Sequence, residues 1–468
     1  MTQQYSLARR LGLASATTLV VSNMIGTGIF TTTGFLAGDL GLPWLVLLSW
    51  VVGAICALLG AICYSELAVN FPTSGGEYVY LSRAYGATWG FISGWVSLVA
   101  GFSAPIATAA LSFASYVTFF FPARQRHSLA SPAFRFGPEQ MIAILLVAIF
   151  SIWNFFGIHR IARVQNTLTA LKLVLIGGFV VSALLFGHGD WQNFSRTAVR
   201  WSGTPLWQQF AMSLFWIYVA YSGWNAAAYV AEEVGQPEKT LSRALALGTG
   251  VVAMAYILLN VVFLYAAPLE SMKGILAVGA LSASRLFGSQ IAWAFSALMA
   301  FGLLSTVNAM TIAGPRVYYA MARDRQFPAA AAKVHPRWRT PVNSIIAQAV
   351  CTVLLVLMPF PALVIYIGFT LNLFATLSVA SLFIFRRRPG WRRLQTVSFA
   401  FPLIPCLFLA VSAWMTIEGL LQKPFISVLT LLTIASGGLL HRLRWNRASD
   451  RTGVCERPVG VQDSKNVR

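Results

Sequence analysis

Acidic side chains are scarce in this chain: 14 Asp and Glu stand against 34 Lys and Arg, for a formal net charge of +20 over 468 residues. Charged residues of both signs make up only 10% of the total, where a soluble domain carries about 25%. That shortage excludes an ordinary water-exposed surface. Histidine is equally sparse: His127, His159, His188, His335 and His441 fall in loops or at the ends of apolar segments, and no apolar segment holds a pair of Asp or Glu. An intramembrane hydrolase or acyltransferase needs a nucleophile with a histidine or paired carboxylates at a shared place, and an ion channel needs rings of like charge or filter carbonyls. Neither pattern is offered here. The five cysteines are scattered, four of them inside apolar segments. Cys56 and Cys63 lie seven apart on one segment, too far for a disulfide or a CxxC metal pair; they read as small packing residues, and no metal site or cofactor is expected. No cleavable signal peptide is expected either, because the first apolar segment is too long.

What is present is apolar. Hydrophobic residues make up 57% of the chain and the mean hydropathy is +0.68. The excess of basic residues does not indicate nucleic acid, since Lys and Arg cluster between apolar runs instead of forming a basic face. Hydropathy marks twelve spans, at 13–37, 43–70, 88–120, 139–157, 164–187, 208–231, 241–267, 287–321, 342–359, 361–385, 397–417 and 424–441, each long enough to cross a bilayer. The chain therefore reads as an all-α polytopic membrane protein with twelve transmembrane helices. Placing both termini in the cytoplasm puts most Lys and Arg inside, including the run RRRPGWRR at 386–393, as the positive-inside rule requires. These runs are topology signals first, with binding to anionic membrane lipid as the lesser reading.

Two of the spans are built to break. Ser22 to Phe30 places Gly26 and Gly28 beside Asn23 and Thr27 in the middle of the first span; Tyr218 to Asn225 places Gly223 beside Ser222 and Asn225 in the sixth. Backbone groups freed at membrane depth are tolerated only where they are buried in protein or line a wet cavity. Glycine-interrupted segments at matching positions of two halves point to the binding site of a transporter. Five spans per half give the two copies opposite topology. The expected organisation is a cytoplasmic tail at 1–12, a first repeat at 13–187, an inverted second repeat at 208–385, two further helices at 397–441 and a basic cytoplasmic tail at 442–468.

Lys172 is the sharpest single residue, because a lysine inside the apolar run 168–181 costs several kcal/mol on insertion scales (about 3). A functional role is the default, with snorkelling to the interface as the alternative. Glu66, Glu232 and Glu233 sit at the cytoplasmic ends of spans and are expected to pair with loop arginines such as Arg83 or Arg163.

The strings IGTGIF, YSELAVNFPTSGGEYVYLSRAYG, VQNTLTALK, YVAYSGWNAAAYVAEE, ARDRQFPAAAAKVHPRWRTPVNS and LFIFRRRPG resemble the amino acid, polyamine and organocation transporter superfamily. Within it they are most similar to the L-amino-acid transporter branch and its bacterial relatives. The resemblance implies a five-plus-five inverted repeat of LeuT-like fold in a bacterial cytoplasmic membrane. It implies a sodium-independent secondary transporter, not an enzyme, moving neutral L-amino acids by alternating access. Exchange is the leading mechanism and proton-coupled symport the alternative. By position, Thr27 and Gly28 would receive the substrate carboxylate, and the carbonyls of Met24, Val219 and Ser222 its amino group, with Gly26 and Gly223 forming the breaks at the substrate. Free N–H groups and a half-helix N-terminus suit a carboxylate, and free carbonyls suit an ammonium.

Tyr256 and Asn372 match polar positions near that site, each read first as an interhelical hydrogen bond; for Ser222 and Asn225 at the second break, interhelical packing is the alternative to substrate binding. For Thr27 the alternative is a bond into its own helix. Lys172 stands where related transporters hold sodium, and its ammonium is expected to bridge carbonyls of the broken first span to the hydroxyls of Ser305 and Thr306. Two departures from the branch stand out. Val219 replaces a closing aromatic, so Tyr218 is the candidate lid. The loop 121–138 lacks the cysteine that bonds a heavy partner, so no disulfide-linked subunit is expected.

Overall fold

In a computed structural model, residues 11–73, 75–118, 129–130, 135–156, 158–335, 338 and 340–452 are described. Most of the N-terminal tail, most of the loop 121–138 and the end of the C-terminal tail, on which expectations rest, lie outside them. Each of the twelve expected spans meets a helix. In order these are Leu13–Met24 with Gly28–Leu40, Pro43–Asn70, Ala87–Val96 continued through Ser97–Ser103 to Ala104–Thr118, Pro138–Trp153, Ile158–Phe186 and Leu206–Tyr221 with Ala226–Tyr229. Then come Pro237–Ala266, Ser289–Arg323, Val342–Val356, Phe360–Phe385, Leu403–Gln422 and Pro424–Thr452. Among the described residues, nine stretches are by themselves long and apolar enough to cross a membrane. The interrupted sixth falls outside that number, as do the eighth and the ninth, the latter with its 15 residues. Among the described residues, strand pairing is limited to two residues on each side, Leu129–Ala130 with Arg135–Phe136, and an isolated bridge between Leu11 and Val234. In hydrocarbon a helix satisfies every backbone group within itself, and the lipid-facing sides are correspondingly apolar: Leu145, Ile149 and Ile152 on the fourth span and Val174, Val181 and Leu185 on the fifth are exposed.

Two boundaries differ from the hydropathy reading because of proline, and the sixth span breaks where its glycine and polar residues lead one to expect. The ninth helix ends at Val356 because Pro359 lies three residues on and the next helix begins at Phe360 with Pro361 in its first turn. The eleventh begins at Leu403, not at 397, because Pro402 stands immediately before it; the preceding apolar residues form the short helix Gln395–Ser398. The sixth stops at Tyr221 and resumes only briefly, at Ala226–Tyr229. Proline lacks the donor to continue a helix and restricts the residue before it, and a hydropathy window does not register this.

The first, second, sixth and seventh spans pack chiefly on one another, as do the third, fourth, fifth, eighth and ninth. A short helix follows the second span, Glu77–Tyr85, and another follows the seventh, Val278–Phe287. They end in the same pattern, Ser82-Arg83-Ala84-Tyr85-Gly86 and Ser284-Arg285-Leu286-Phe287-Gly288. Both patterns close on a glycine of positive φ, 97° and 84°, from which the next span starts at once.

Candidate functional site

The first span comes apart over residues 25–27. Leu13–Met24 closes with Ile25 at ψ 84°, and Gly28–Leu40 starts after Thr27. Gly26 N–H folds back onto the Met24 carbonyl at 2.8 Å. The amides of Thr27, Gly28 and Ile29 then have no backbone acceptor among the described residues. The Thr27 hydroxyl makes no capping bond; the hydroxyl that bonds back into the helix is that of Thr31, to the Thr27 carbonyl at 3.0 Å. A 13-residue half-helix thus presents unsatisfied donors at its positive end, a ready place for an anion. Gly28 packs directly on the backbone and side chain of Ala220, where any Cβ would collide. That contact brings the two breaks side by side.

Lys172 supplies the tie expected of it. It is 2% exposed, and its ammonium donates to the Ile25 carbonyl at 2.5 Å and to Thr306 Oγ1 at 3.2 Å. Thr306 in turn donates to the same carbonyl at 3.1 Å. Snorkelling is excluded by this burial. The expectation for Ser305 is corrected: its hydroxyl bonds the Gly302 carbonyl of its own helix at 2.9 Å, since it projects from a different face of the helix than its neighbour.

Tyr256 stands at the junction. Its hydroxyl lies 2.6 Å from the Met24 carbonyl and 3.1 Å from that of Ala220, so it joins the two broken spans. The Met24 carbonyl therefore already receives Gly26 N–H and Tyr256. The Val219 carbonyl receives the Ser222 amide at 3.1 Å and hydroxyl at 2.7 Å. Of the three carbonyls expected to hold an ammonium, only that of Ser222 has no hydrogen bond among the described residues. The Ser222 hydroxyl packs into its own turn and not between helices. Gly223 has φ 100°, and its Cα sits against the Asn23 backbone, where a Cβ would come within 2.7 Å; both facts require glycine.

Two residues are placed elsewhere than expected. Asn372 turns away from the breaks, donating to the Ser412 carbonyl at 3.0 Å and Thr416 at 3.1 Å on the eleventh span. Tyr218 reaches the Leu371 carbonyl of the tenth span at 3.4 Å and lines an apolar notch with Trp224 and Phe408; it does not cover the breaks. Val219 packs against Gly368.

Sequence reasoning passed over Glu77. It is 6% exposed and accepts from the Tyr64 hydroxyl at 2.7 Å and from Asn225 Nδ2 at 3.3 Å. Burial pushes its carboxyl up to about 7, against the lowering effect of the bonds from Tyr64 and Asn225. Its signal was the acid inside SGGEYVY, hidden because that string lies between spans. Glu66 takes a loop arginine as expected, though neither Arg83 nor Arg163. Its partner is Arg386, which donates to both carboxylate oxygens at 2.7 and 2.6 Å, with Trp391 Nε1 adding a bond at 2.8 Å and Leu394 N–H one at 3.1 Å. The loop folds back under the second span, a contact that linear distance concealed. The side chains of Arg163 and Glu233 lie outside the described residues. Asn154 and Asn260, unassigned by sequence, bond Asn308 at 3.0 Å and Thr33 at 2.5 Å.

Two adjacent helix breaks, with free amides on one, a free carbonyl on the other and a buried lysine ammonium beside them, are able to take a small zwitterion by its two charged ends. Comparison with known proteins agrees. The large neutral amino acids transporter small subunit 2 of Mus musculus is 28% identical over 442 residues, covering 92% of this chain and 80% of its own length. The serine/threonine exchanger SteT of Bacillus subtilis (strain 168) is 30% identical over 419 residues, 88% of this chain and 91% of its own. The Asc-type amino acid transporter 1 of Mus musculus is 26% identical over 444 residues, 93% and 81%. The amino acid permease family matches residues 11–436, and this chain, an all-α polytopic membrane protein, belongs to that family.

Proposed function

We propose that the chain is a sodium-independent exchanger of neutral L-amino acids that works by alternating access around the two breaks. The observation that carries this is the start of the half-helix Gly28–Leu40, where three amides and the Thr27 hydroxyl stand beside the second break without acceptors among the described residues. The substrate carboxylate is taken there and its ammonium at the Ser222 carbonyl. Lys172 supports sodium independence, because its ammonium already occupies the space between the Ile25 carbonyl and Thr306. No Asp or Glu falls within either break segment, 22–30 or 218–225, and the carboxylate that reaches the second, Glu77, is taken up by Tyr64 and Asn225; this favours neutral substrates, as the names of the relatives do. We read the halves as inverted repeats, the termini as cytoplasmic, and the protein as acting without a disulfide-linked subunit and without chemical catalysis.

Uptake of labelled amino acids into proteoliposomes tests this. Flux that requires an amino acid on the far side and ignores sodium is expected. Flux driven by a pH gradient alone would establish symport instead, and strong uptake of arginine or lysine alone would overturn the neutral assignment.

A further inference from the structure

Glu77 begins the helix Glu77–Tyr85, which packs on the third and tenth spans, and Tyr78 beside it donates to Asp324 at 2.9 Å. The carboxyl of Glu77 points the other way, into the group built from the second and sixth spans. One oxygen accepts from Tyr64 on the second span and from Asn225 just after the second break, and Asn225 lies 3.4 Å from the Tyr229 hydroxyl. The other oxygen makes no hydrogen bond among the described residues. The titratable groups that face it are phenols: Tyr64 on the second span, Tyr80 on its own helix, and Tyr218 and Tyr229 on the sixth. Among the described residues no Lys, Arg or His faces it. A buried carboxylate without a cation is held at a cost that a bound proton removes.

We infer that Glu77 is a proton-binding latch on the face that carries the N-terminus: ionised, it clamps the second break through Asn225, and protonated, it releases it. This rests on the reading of the chain as an amino acid transporter, and under the proposed orientation the face is cytoplasmic. As a carboxylate Glu77 receives charge-assisted bonds, which are roughly twice as strong as neutral ones. Binding one proton from water, with no bond broken elsewhere, removes the charge and weakens both. The clamp joins the two packing groups of helices, so weakening it frees one to move against the other. Burial alone brings the proton exchange close to neutrality.

The experiment has two arms on the purified full chain. In infrared difference spectra between about pH 5.5 and about pH 8.5, the wild type is expected to show a protonated-carboxyl band with a midpoint near 7 that Glu77→Gln lacks; the same band in both proteins overturns the latch. In proteoliposomes with equal pH on both sides, serine exchange by the wild type is expected to rise about fivefold on acidification. Glu77→Gln should run at the acid rate at every pH, and Glu77→Asp should restore the dependence with a displaced midpoint. Identical pH profiles for wild type and Glu77→Gln overturn the inference. A wild type that moves no amino acid removes the transport reading, and the infrared arm then decides the latch by itself.

Discussion

The two breaks look alike in sequence but are held differently. The first is anchored: the Ile25 carbonyl is fixed by Lys172 and Thr306, and a 13-residue half-helix follows, long enough for its aligned dipoles to favour an anion within the first turn. The second is hinge-like: only four α-helical residues follow, Ala226–Tyr229, before a 3-10 turn at Ala231–Glu233, and its far side is held by the Asn225–Glu77 bond at 3.3 Å and by the Gly75 amide on the Tyr229 carbonyl at 3.3 Å. A short helix has little dipole and few bonds to resist bending. The first break is thus built to recognise, and the second to move.

The strongest way to break this contrast is Lys172→Ala. It leaves the Ile25 carbonyl with Thr306 alone and is expected to lower exchange by about a hundredfold, the scale of losing one buried charged hydrogen-bond donor. Initial rates in proteoliposomes measure it, and normal transport with an unchanged pH profile would falsify the anchor. Gly28→Ala comes next: its Cβ meets Ala220, so substrate affinity, read by thermal shift with added amino acid, should fall at least about tenfold while the protein stays folded. A neighbouring pair sharpens the point further. Thr306→Ala should lower exchange about tenfold, whereas Ser305→Ala, whose hydroxyl serves its own helix, should stay within about a factor of two. Equal losses from both would place the anchor elsewhere.

The smallest effect is on stability. Glu77 has its folded value raised from 4.5 to about 7, so the folded state holds a proton that the unfolded state gives up earlier. Its contribution is full below about pH 4.5 and is lost as pH rises to about 7. Melting temperature in detergent should therefore drop by a few degrees between about pH 5 and about pH 8 in the wild type, and Glu77→Gln should flatten that slope. An equal slope in both would assign the titration to another group.

Most of the fold was legible because hydropathy and span length are local properties: all twelve spans were found, and the errors fell where proline, at 359 and 402, overrides an apolar run. The site was legible where a residue conflicts with its surroundings. Gly26, Gly28 and Gly223 break helices that ought to continue, and Lys172 is a charge where none is cheap. Asn372 and Ser305 misled because a polar residue inside a span announces only that it must find a partner, not which side it faces. Asn372 found Ser412 and Thr416, and Ser305 found Gly302.

The sequence by itself determined that this chain is an all-helical membrane protein with two interrupted spans and a lysine inside an apolar run, because desolvation costs act on each residue where it stands. Only the tertiary structure decided which carbonyls remain free for a ligand, that Glu66 belongs to Arg386, 320 positions away, and that Glu77 reaches the second break. Each of those depends on which side chains converge from distant parts of the chain, and hydrogen bonding is directional and short in range, so its partners are known only once the helices are packed.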